Sequence, residues 1–369
     1  MRHQVFWAAI ASLSIFGCGA SNDSADDGRS ESGTVEVTVY PARSVITMDP
    51  DRPHAEAVAV AGGRILAAGS LQEIVAGLGD RSHAVSTSFE DKVIVPGLID
   101  QHVHPLLAAL TMSMEIIAIE DWVLPHGTSR KAIDREDYLR RVADAVAGME
   151  EADEPLFTWG FHHYFHGKLT RQDLDEISDT RPIIVWHRSV HEFILNTAAM
   201  EAFEITPEFY ETFSESAKEQ SNFDEGHFWE QGWYPVLYKL MPALTEPTRL
   251  KAGLEFVRDY FHSSGVTLIA EPGGIVAREL QEAQNAVLGD SGMPFRSYFI
   301  VDGKTLALTR MSDLIAATEE PLAWGRGKTE FLPKQTKLFA DGAIFSQAMQ
   351  MIDGLSLIHI SEPTRLGML

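Results

Sequence analysis

Residues 95–105 read VPGLIDQHVHP, and this stretch decides how the rest of the chain is interpreted. Alternate residues of a β-strand lie on the same face, so Asp100, His102 and His104 are expected to project together. Two imidazoles with this spacing at a strand end can bind one divalent metal ion. An isolated His-x-His pair is more often a surface or hydrogen-bonded core feature. The apolar strand before it and Pro105 after it favour metal binding in this sequence.

Strand and helix patterns alternate along the chain after this stretch. The pattern predicts strands at 182–186, 266–270, 295–301 and 336–339, and amphipathic helices at 133–149, 248–264 and 275–288, with Asp134 as a cap. Such alternation indicates a parallel sheet with crossover helices. Residues 188–247 are less regular and rich in aromatic side chains, which predicts an insertion that covers a site.

A small β domain is predicted before the stretch, over residues 34–93. Residues 34–47 are rich in β-branched side chains, which favour strands. Residues 57–68 read AVAVAGGRILAA, two short strands on either side of Gly62 and Gly63. A pair of glycines between two strands is a hairpin signal.

Composition and charge exclude several classes of protein. Of 369 residues, 45% are hydrophobic and 22% are charged, which argues against a disordered chain and against a polytopic membrane protein. The formal net charge of −23 repels a phosphate backbone, so no nucleic-acid partner is expected. The single cysteine excludes an intrachain disulfide.

The N-terminus has the pattern of a targeting segment. The apolar run over residues 5–17 is too short to span a bilayer, and it leads into Ile15-Phe16-Gly17-Cys18, which resembles a bacterial lipobox. This predicts a signal peptide over 1–17, lipidation of Cys18 and a flexible tether over 18–33. The chain would be lipid-anchored in the bacterial cell envelope, at the outer membrane facing the periplasm, with no other membrane contact. The alternative is an ordinary signal peptide with an incidental cysteine.

The C-terminus predicts a different kind of segment. Residues 355–365 read LSLIHISEPTR, which matches the in-frame translation of a transposase adapter used to prepare sequencing libraries. The expectation is that natural sequence ends near Gly354, that residues 355–369 are an artefactual tail, and that the chain is a fragment.

Three segments together resemble a known family. PGLIDQHVHP is similar to the signature of the amidohydrolase superfamily. HEFILNTAAM at 191–200 and KLFADG at 337–342 are similar to segments of its family 3 branch, which includes N-substituted formamide deformylase-like proteins. GHFWEQ at 226–231 resembles a Gly-x-x-x-Glu segment beside the active site of that branch. The resemblance extends from about residue 34 to residue 354.

The resemblance implies an α/β fold with a partial (β/α)8 TIM-like barrel over 94–354. Residues 34–93 would be the N-terminal half of a small β-sandwich. His102 and His104 would bind the more buried metal ion. Lys337 would be a carboxylated lysine, a metal ligand with a catalytic role. An ion pair between Lys337 and Asp341 is an equally open alternative.

The resemblance also implies residues of a substrate pocket, namely His191, Asn196 and Asp341. A structural hydrogen bond is the alternative role for His191. Glu271 follows a predicted strand, and its position alone suggests that it faces the site. The tract over 162–166, HHYFH, is interpreted as a loop with at most one substrate contact, because adjacent strand residues point to opposite faces.

These features lead to the hypothesis of a metal-dependent amidohydrolase. One or two divalent ions, with Zn2+ expected, would activate water to hydrolyse a non-peptide C–N bond of a small-molecule amide, N-formyl compound or cyclic amide. About five barrel strands are readable where eight are needed, and the family's two later histidines and late aspartate are not found before Gly354. An inactive fragment is therefore predicted. The alternative is a non-catalytic surface lipoprotein that binds a small ligand.

Overall fold

The computed structural model describes residues 36–151, 153–274 and 277–338. The predicted signal peptide and tether, Cys18, Asp341 and the predicted tail over 355–369 lie outside these residues. The chain divides into two units, Met1–Pro96 and Gly97–Leu369. Across the three described ranges, none of the helices has both the length and the apolar character needed to cross a bilayer.

A mixed five-stranded sheet forms the first unit. Its strands run in the order β3-β2-β1-β4, and β5 pairs with β1. Their bounds are β1 (Val37–Ile46), β2 (His54–Ala61), β3 (Arg64–Gly69), β4 (His83–Val85) and β5 (Val93–Ile94). The predicted hairpin is confirmed, because β2 and β3 are antiparallel and the two residues between them, Gly62 and Gly63, have φ angles of 55° and 71°.

Helix α1 (Leu71–Leu78) packs against this sheet and was not predicted. Ser70 caps it, and its side chain accepts from the Glu73 backbone while the Glu73 carboxylate accepts from the Ser70 backbone. This reciprocal arrangement satisfies two backbone donors that a helix start leaves unpaired. Ile74 is the residue that the helix buries in the core of the unit.

The second unit has a mixed α/β fold. Its strands are β6 (Leu98–Asp100), β7 (Glu115–Ile116), β8 (Trp122–Leu124), β9 (Gly127–Ser129), β10 (Leu156–Phe161), β11 (Ile183–His187), β12 (Glu192–Leu195), β13 (Ser221–Asn222), β14 (His227–Trp229), β15 (Val266–Pro272), β16 (Arg296–Asp302) and β17 (Thr329–Lys337). Its helices are α2 (Pro105–Met112), α3 (Arg135–Gly148), α4 (His163–His166), α5 (Arg171–Asp175), α6 (Thr197–Ala202), α7 (Pro207–Glu211), α8 (Glu215–Glu219), α9 (Trp233–Leu244), α10 (Pro247–Ser263), α11 (Arg278–Leu288), α12 (Gly303–Thr309) and α13 (Leu314–Glu319). The three predicted helices are confirmed as α3, α10 and α11, and Asp134 caps α3 by accepting from the Asp137 backbone.

One sheet of this unit is wholly parallel. Its order is β17-β16-β15-β6, and every neighbouring pair is parallel. The carboxyl ends of the four strands therefore meet at one edge of the sheet. Among the described residues the sheet is open, with β6 and β17 as its outer strands.

The sequence pattern predicted a single parallel sheet, but some of the predicted strands form a second large sheet. Its order is β13-β14-β12-β11-β10-β7, so β11, predicted at 182–186, does not pair with β6, β15, β16 or β17. Hydrophobic periodicity identifies a buried strand but carries no information about which sheet it joins. The chain leaves the parallel sheet after β6 and returns at β15, a longer excursion than the insertion predicted over 188–247.

Helices α2 and α10 pack closely within the main hydrophobic core. Gly253 of α10 faces the backbone of α2, and a Cβ atom built on it would lie 2.4 Å from the Ala109 carbonyl oxygen. A side chain of any size at this position would push the helices apart. A Cβ atom built on Gly148, at the end of α3, would lie in open space.

Gly253→Ala is expected to destabilise the second unit by about 1–3 kcal/mol, although alanine favours a helix by about 1 kcal/mol over glycine. Gly148→Ala is the matched control, and it should leave stability unchanged or raise it. Urea unfolding followed by tryptophan fluorescence reports on this unit, since six of the seven tryptophans lie after residue 97. Equal effects of the two substitutions would contradict the packing of α2 against α10.

Candidate metal centre

His102 and His104 lie together where β6 ends. The two ring centroids are 5.5 Å apart and the ring planes are nearly perpendicular. Val103 between them donates its backbone N–H to the Ala270 carbonyl at 3.1 Å, which holds the segment against β15. Asp100 does not join the pair, because its carboxylate accepts from the His102 backbone N–H at 3.1 Å.

Glu271 supports His104 from the next strand. Its Oε1 lies 3.2 Å from His104 Nδ1, and the side chain is almost fully buried. Burial raises the pKa of the Glu271 carboxyl, and the hydrogen bond with His104 lowers it in part. When Nδ1 donates to this carboxylate, Nε2 keeps a lone pair, which is the arrangement found behind metal-binding histidines.

Lys337 ends β17 at the same edge. In the sheet register it lies opposite Asp302, the last residue of β16. Its side chain passes over Gly273, where a Cβ atom would come within 2.6 Å of Lys337 Cγ. Partial removal from water lowers the pKa of His102, and the positive charge of Lys337 lowers it further. The structure therefore places the three predicted metal ligands at the same edge of the parallel sheet.

The donor set at this edge fits a divalent transition metal ion, provided that Lys337 does not carry a positive charge. Two imidazoles and a buried carboxylate behind one of them are suited to Zn2+. A protonated Lys337 near His102 opposes a cation, whereas a carbamate on the same nitrogen is an anionic ligand. Asp302 is already used as the cap of α12, where it accepts from Lys304 N, Thr305 N and the Thr305 hydroxyl.

His191 lies elsewhere in the unit, just before β12. Its Nδ1 is 3.3 Å from Glu230 Oε2, and its ring stacks on Trp233 at 6.3 Å between centroids. Glu230 belongs to the segment that resembles a Gly-x-x-x-Glu motif. The structure thus shows the hydrogen bond that was the alternative role for His191, while 40% of the side chain stays exposed.

Asn196 is fully buried and bound on every side by protein groups. Its Oδ1 accepts from the backbone of Ile183 and of Ala199, at 2.8 and 2.9 Å. Its Nδ2 donates to the carbonyls of Ser178 and Arg181, both at 2.8 Å. A substrate contact was predicted for Asn196, but these four bonds favour a structural role, as the N-cap of α6 and its link to β11.

A second group of histidines, which sequence reasoning missed, lies at the ends of β10 and β11. His162, His163 and His187 each offer a ligand atom, and these atoms lie within 4.8 Å of one another. The tract over 162–166 was interpreted as a loop whose adjacent histidines diverge. That interpretation was wrong, because the strand ends at Phe161 and α4 starts at His163, so the alternation of a strand does not apply.

A buried carboxylate lies behind this histidine group. Glu192 Oε2 is 2.9 Å from His227 Nε2, and its Oε1 is 3.8 Å from His187 Nδ1. Burial is the main cause that lowers the pKa of His162 to about 4 and that of His187 to about 3. His166, also buried, accepts from the His162 backbone at Nδ1 and donates from Nε2 to the Ala132 carbonyl, which requires a neutral ring.

Comparison with known sequences identifies one family and one curated relative. The sequence model of the amidohydrolase family matches residues 89–364, most of the chain. Protein LONG AFTER FAR-RED 3 of Arabidopsis thaliana is 30% identical over 159 residues, which are 43% of this chain and 25% of the plant protein.

Two solved structures have a similar fold. One is an uncharacterised metal-dependent hydrolase from Pyrococcus horikoshii, with a TM-score of 0.58 and 15% identity over 89% of this chain and 63% of that one. The other is an uncharacterised metal-dependent hydrolase from Pyrococcus furiosus, with a TM-score of 0.56 and 14% identity over 90% of this chain and 66% of that one. The chain thus spans less than two thirds of both proteins and a quarter of the plant protein.

Asn196→Ala is expected to lower the free energy of unfolding by about 2–5 kcal/mol, because it removes a helix cap and leaves buried backbone groups unpaired. Asn196→Asp should also destabilise, since it replaces the amide donor with a carboxylate facing two carbonyls. Urea unfolding measures both changes. Wild-type stability in Asn196→Ala would contradict the structural role and favour the predicted substrate contact.

The buried histidines predict a loss of stability in mild acid. Folding lowers the pKa values of His162, His166 and His187. In the unfolded chain these histidines have the ordinary pKa of about 6.5, so below that pH the unfolded chain binds more protons than the folded chain does. The free energy of unfolding should therefore fall as pH decreases from 7.5 to about 5. His166→Gln should show a smaller decrease over the same range. An unchanged pH dependence in that variant would show that His166 is not held neutral.

Proposed function

Because the chain belongs to the amidohydrolase family, we propose that it is part of a metal-dependent hydrolase whose metal centre contains His102, His104 and Lys337. One observation carries this proposal. The buried Glu271 carboxylate lies 3.2 Å from Nδ1 of His104, which leaves Nε2 of that ring to bind a metal ion. His102 offers a second imidazole from the same strand end.

A divalent ion bound there would polarise a substrate carbonyl and lower the pKa of water. The residues of the chain orient and position the metal ligands. Glu271 fixes the tautomer and orientation of His104, and its own burial keeps this contact out of solvent. The Val103–Ala270 hydrogen bond holds both histidines against β15, so the ligands are positioned before a metal ion arrives.

We propose that Lys337 is carboxylated in the metal-loaded protein. The Lys337 ammonium would lose one proton, and the resulting amine would add to carbon dioxide and release a second proton, which converts a cation into an anionic carbamate. The conversion removes the repulsion that Lys337 exerts on a cation near His102. Gly273 leaves room for the lysine side chain at the sheet edge, since a side chain there would collide with Lys337 Cβ and Cγ.

The parallel sheet supports a barrel architecture for the whole protein. Strands β15, β16 and β17 follow one another in both sequence order and sheet order, as consecutive strands of a (β/α)8 barrel do, and β6 pairs in parallel with β15. The candidate ligands lie at the carboxyl ends of these strands, where barrel enzymes have their active sites. In this proposal the first unit contributes half of a small β-sandwich.

A non-peptide C–N bond in a small amide, N-formyl compound or cyclic amide is the substrate class that we propose. It rests on the resemblance of residues 191–200 and 337–342 to the formamide deformylase-like branch. The accompanying proposal of a lipid anchor at Cys18, and of a place in the bacterial cell envelope, rests on the lipobox-like sequence alone.

His102→Ala and His104→Ala should each remove one equivalent of zinc from the chain, because each removes an imidazole ligand. Glu271→Gln keeps the size of the side chain and should weaken zinc binding about 10–100-fold, as loss of an outer hydrogen-bonding partner does. Calorimetric titration of metal-stripped protein measures both effects. Hydrolysis of N-formyl, linear and cyclic amides by the same samples tests the substrate class.

The matched control is His126→Ala, which removes an exposed histidine that is not at the sheet edge. It should bind zinc as the wild type does. Wild-type zinc stoichiometry in both His102→Ala and His104→Ala would contradict the proposed metal centre.

A further inference from the structure

His162, His163 and His187 come together at the ends of two adjacent parallel strands, far in sequence from His102 and His104. Phe161 of β10 is paired with His187 of β11, so His162 follows directly beside His187. We propose that these three histidines form a second binding site, for a divalent transition metal ion. The inference does not rest on the proposed hydrolase activity, because it uses none of the residues of the first centre.

The spacing of the three side chains suits one ion. Their ligand atoms lie within 4.8 Å of one another, while nitrogens around a tetrahedral zinc ion are about 3.4 Å apart. The difference requires a movement of about 1 Å for each ring, within the range of a side-chain rotation. His163 is the least buried of the three, so it is the ligand that can move towards the two buried rings.

His187 gives an independent indication that something binds here. Its side chain is buried, and its Nε2 has no hydrogen-bond partner among the described residues. On the other side of the ring, Nδ1 lies 2.7 Å from the Ser189 hydroxyl and accepts from the Ser189 backbone at 3.0 Å. A buried polar nitrogen without a partner is destabilising, and coordination at Nε2 would remove that penalty.

The charges around the group favour a cation on one side and oppose it on the other. Glu192 places a buried carboxylate 3.8 Å from His187 Nδ1, and this carboxylate also binds His227. Arg188 lies near His162 and opposes a cation, but its guanidinium is paired with Glu120 at 2.5 Å. Because Nδ1 of His187 accepts the Ser189 backbone N–H, the neutral ring carries its proton on Nε2 when no metal is bound. Coordination at Nε2 requires this proton to move to Nδ1, where the Ser189 hydroxyl at 2.7 Å can accept it at the expense of the backbone hydrogen bond.

Binding would have a local cost at His162. Its Nδ1 accepts the Tyr164 backbone N–H at 3.2 Å, so in the neutral ring the proton is on Nε2. Coordination through either nitrogen disrupts this hydrogen bond. The start of the single-turn helix α4 is therefore expected to change when the ion binds.

The donor type sets the class of ion. Three imidazoles suit Zn2+, Cu2+ or Ni2+, whereas Ca2+ and Mg2+ prefer oxygen ligands. Three protein ligands also leave at least one coordination position for water or another small ligand.

The test uses the full chain carrying His102→Ala and His104→Ala, so that the first centre is disabled. After removal of metal, this background is titrated with Zn2+ by calorimetry and with Co2+ by visible absorption. One equivalent should bind, and the Co2+ complex should show the spectrum of nitrogen coordination. Adding His163→Ala should weaken zinc binding by about 100-fold or more. This exceeds the roughly 10–100-fold loss expected when only a hydrogen-bonding partner of a ligand is removed. Adding His187→Gln should have a similar effect.

Two controls keep the result interpretable. His126→Ala, added to the same background, removes an exposed histidine outside the group and should leave the affinity unchanged. The unfolding temperature of each metal-free variant, measured beside that of the background, separates loss of the site from loss of the His163 stacking on His187. No metal bound by the background, or equal affinity after His163→Ala and His126→Ala, would overturn the second site. Because the background lacks His102 and His104, either result leaves the first centre untouched.

Discussion

The parallel pairing of β6 with β15 is the constraint on which the candidate metal centre depends. It joins residues 167 positions apart in sequence, His104 and Glu271, at a distance of 3.2 Å. The strands approach so closely that a Cβ atom on Gly97 would lie 2.1 Å from Thr267 Oγ1. All six strands of the six-stranded sheet come from the chain between these two strands. A metal centre at this edge therefore requires the chain to return to the parallel sheet beside β6.

Local features of the fold could be predicted from sequence because each depends on neighbouring residues. The periodicity of α3, α10 and α11, the cap at Asp134 and the hairpin at Gly62 and Gly63 are all of this kind. Helix α1 could also have been found, since Ser70 and Glu73 have the spacing of a capping box. The partner strand of β11 could not, because pairing is decided by packing over long sequence distances. A buried run such as PIIVW has the same sequence pattern whichever sheet the strand joins.

The two histidine groups differ in how visible they are in the sequence. His102 and His104 stand out because a strand pattern precedes them and their spacing of two fits a strand. His187 is separated from the adjacent His162 and His163 by the rest of α4, by α5 and by most of β11. The change from strand to helix at His163 also means that the alternation of a strand does not predict its side-chain direction. Asn196 is the opposite case. Its place in a segment that resembles the family predicted a substrate contact, but its four hydrogen bonds are all formed with backbone groups.

The metal centre at the edge of the parallel sheet can be tested by anomalous diffraction at the zinc absorption edge, from crystals of the zinc-loaded wild-type chain. This measurement locates each ion without reference to activity. We expect an anomalous peak within coordination distance of His102 and His104, beside Lys337 and in front of the Glu271–His104 contact. Zinc bound elsewhere on the chain, with no peak at the edge formed by β6, β15, β16 and β17, would contradict it.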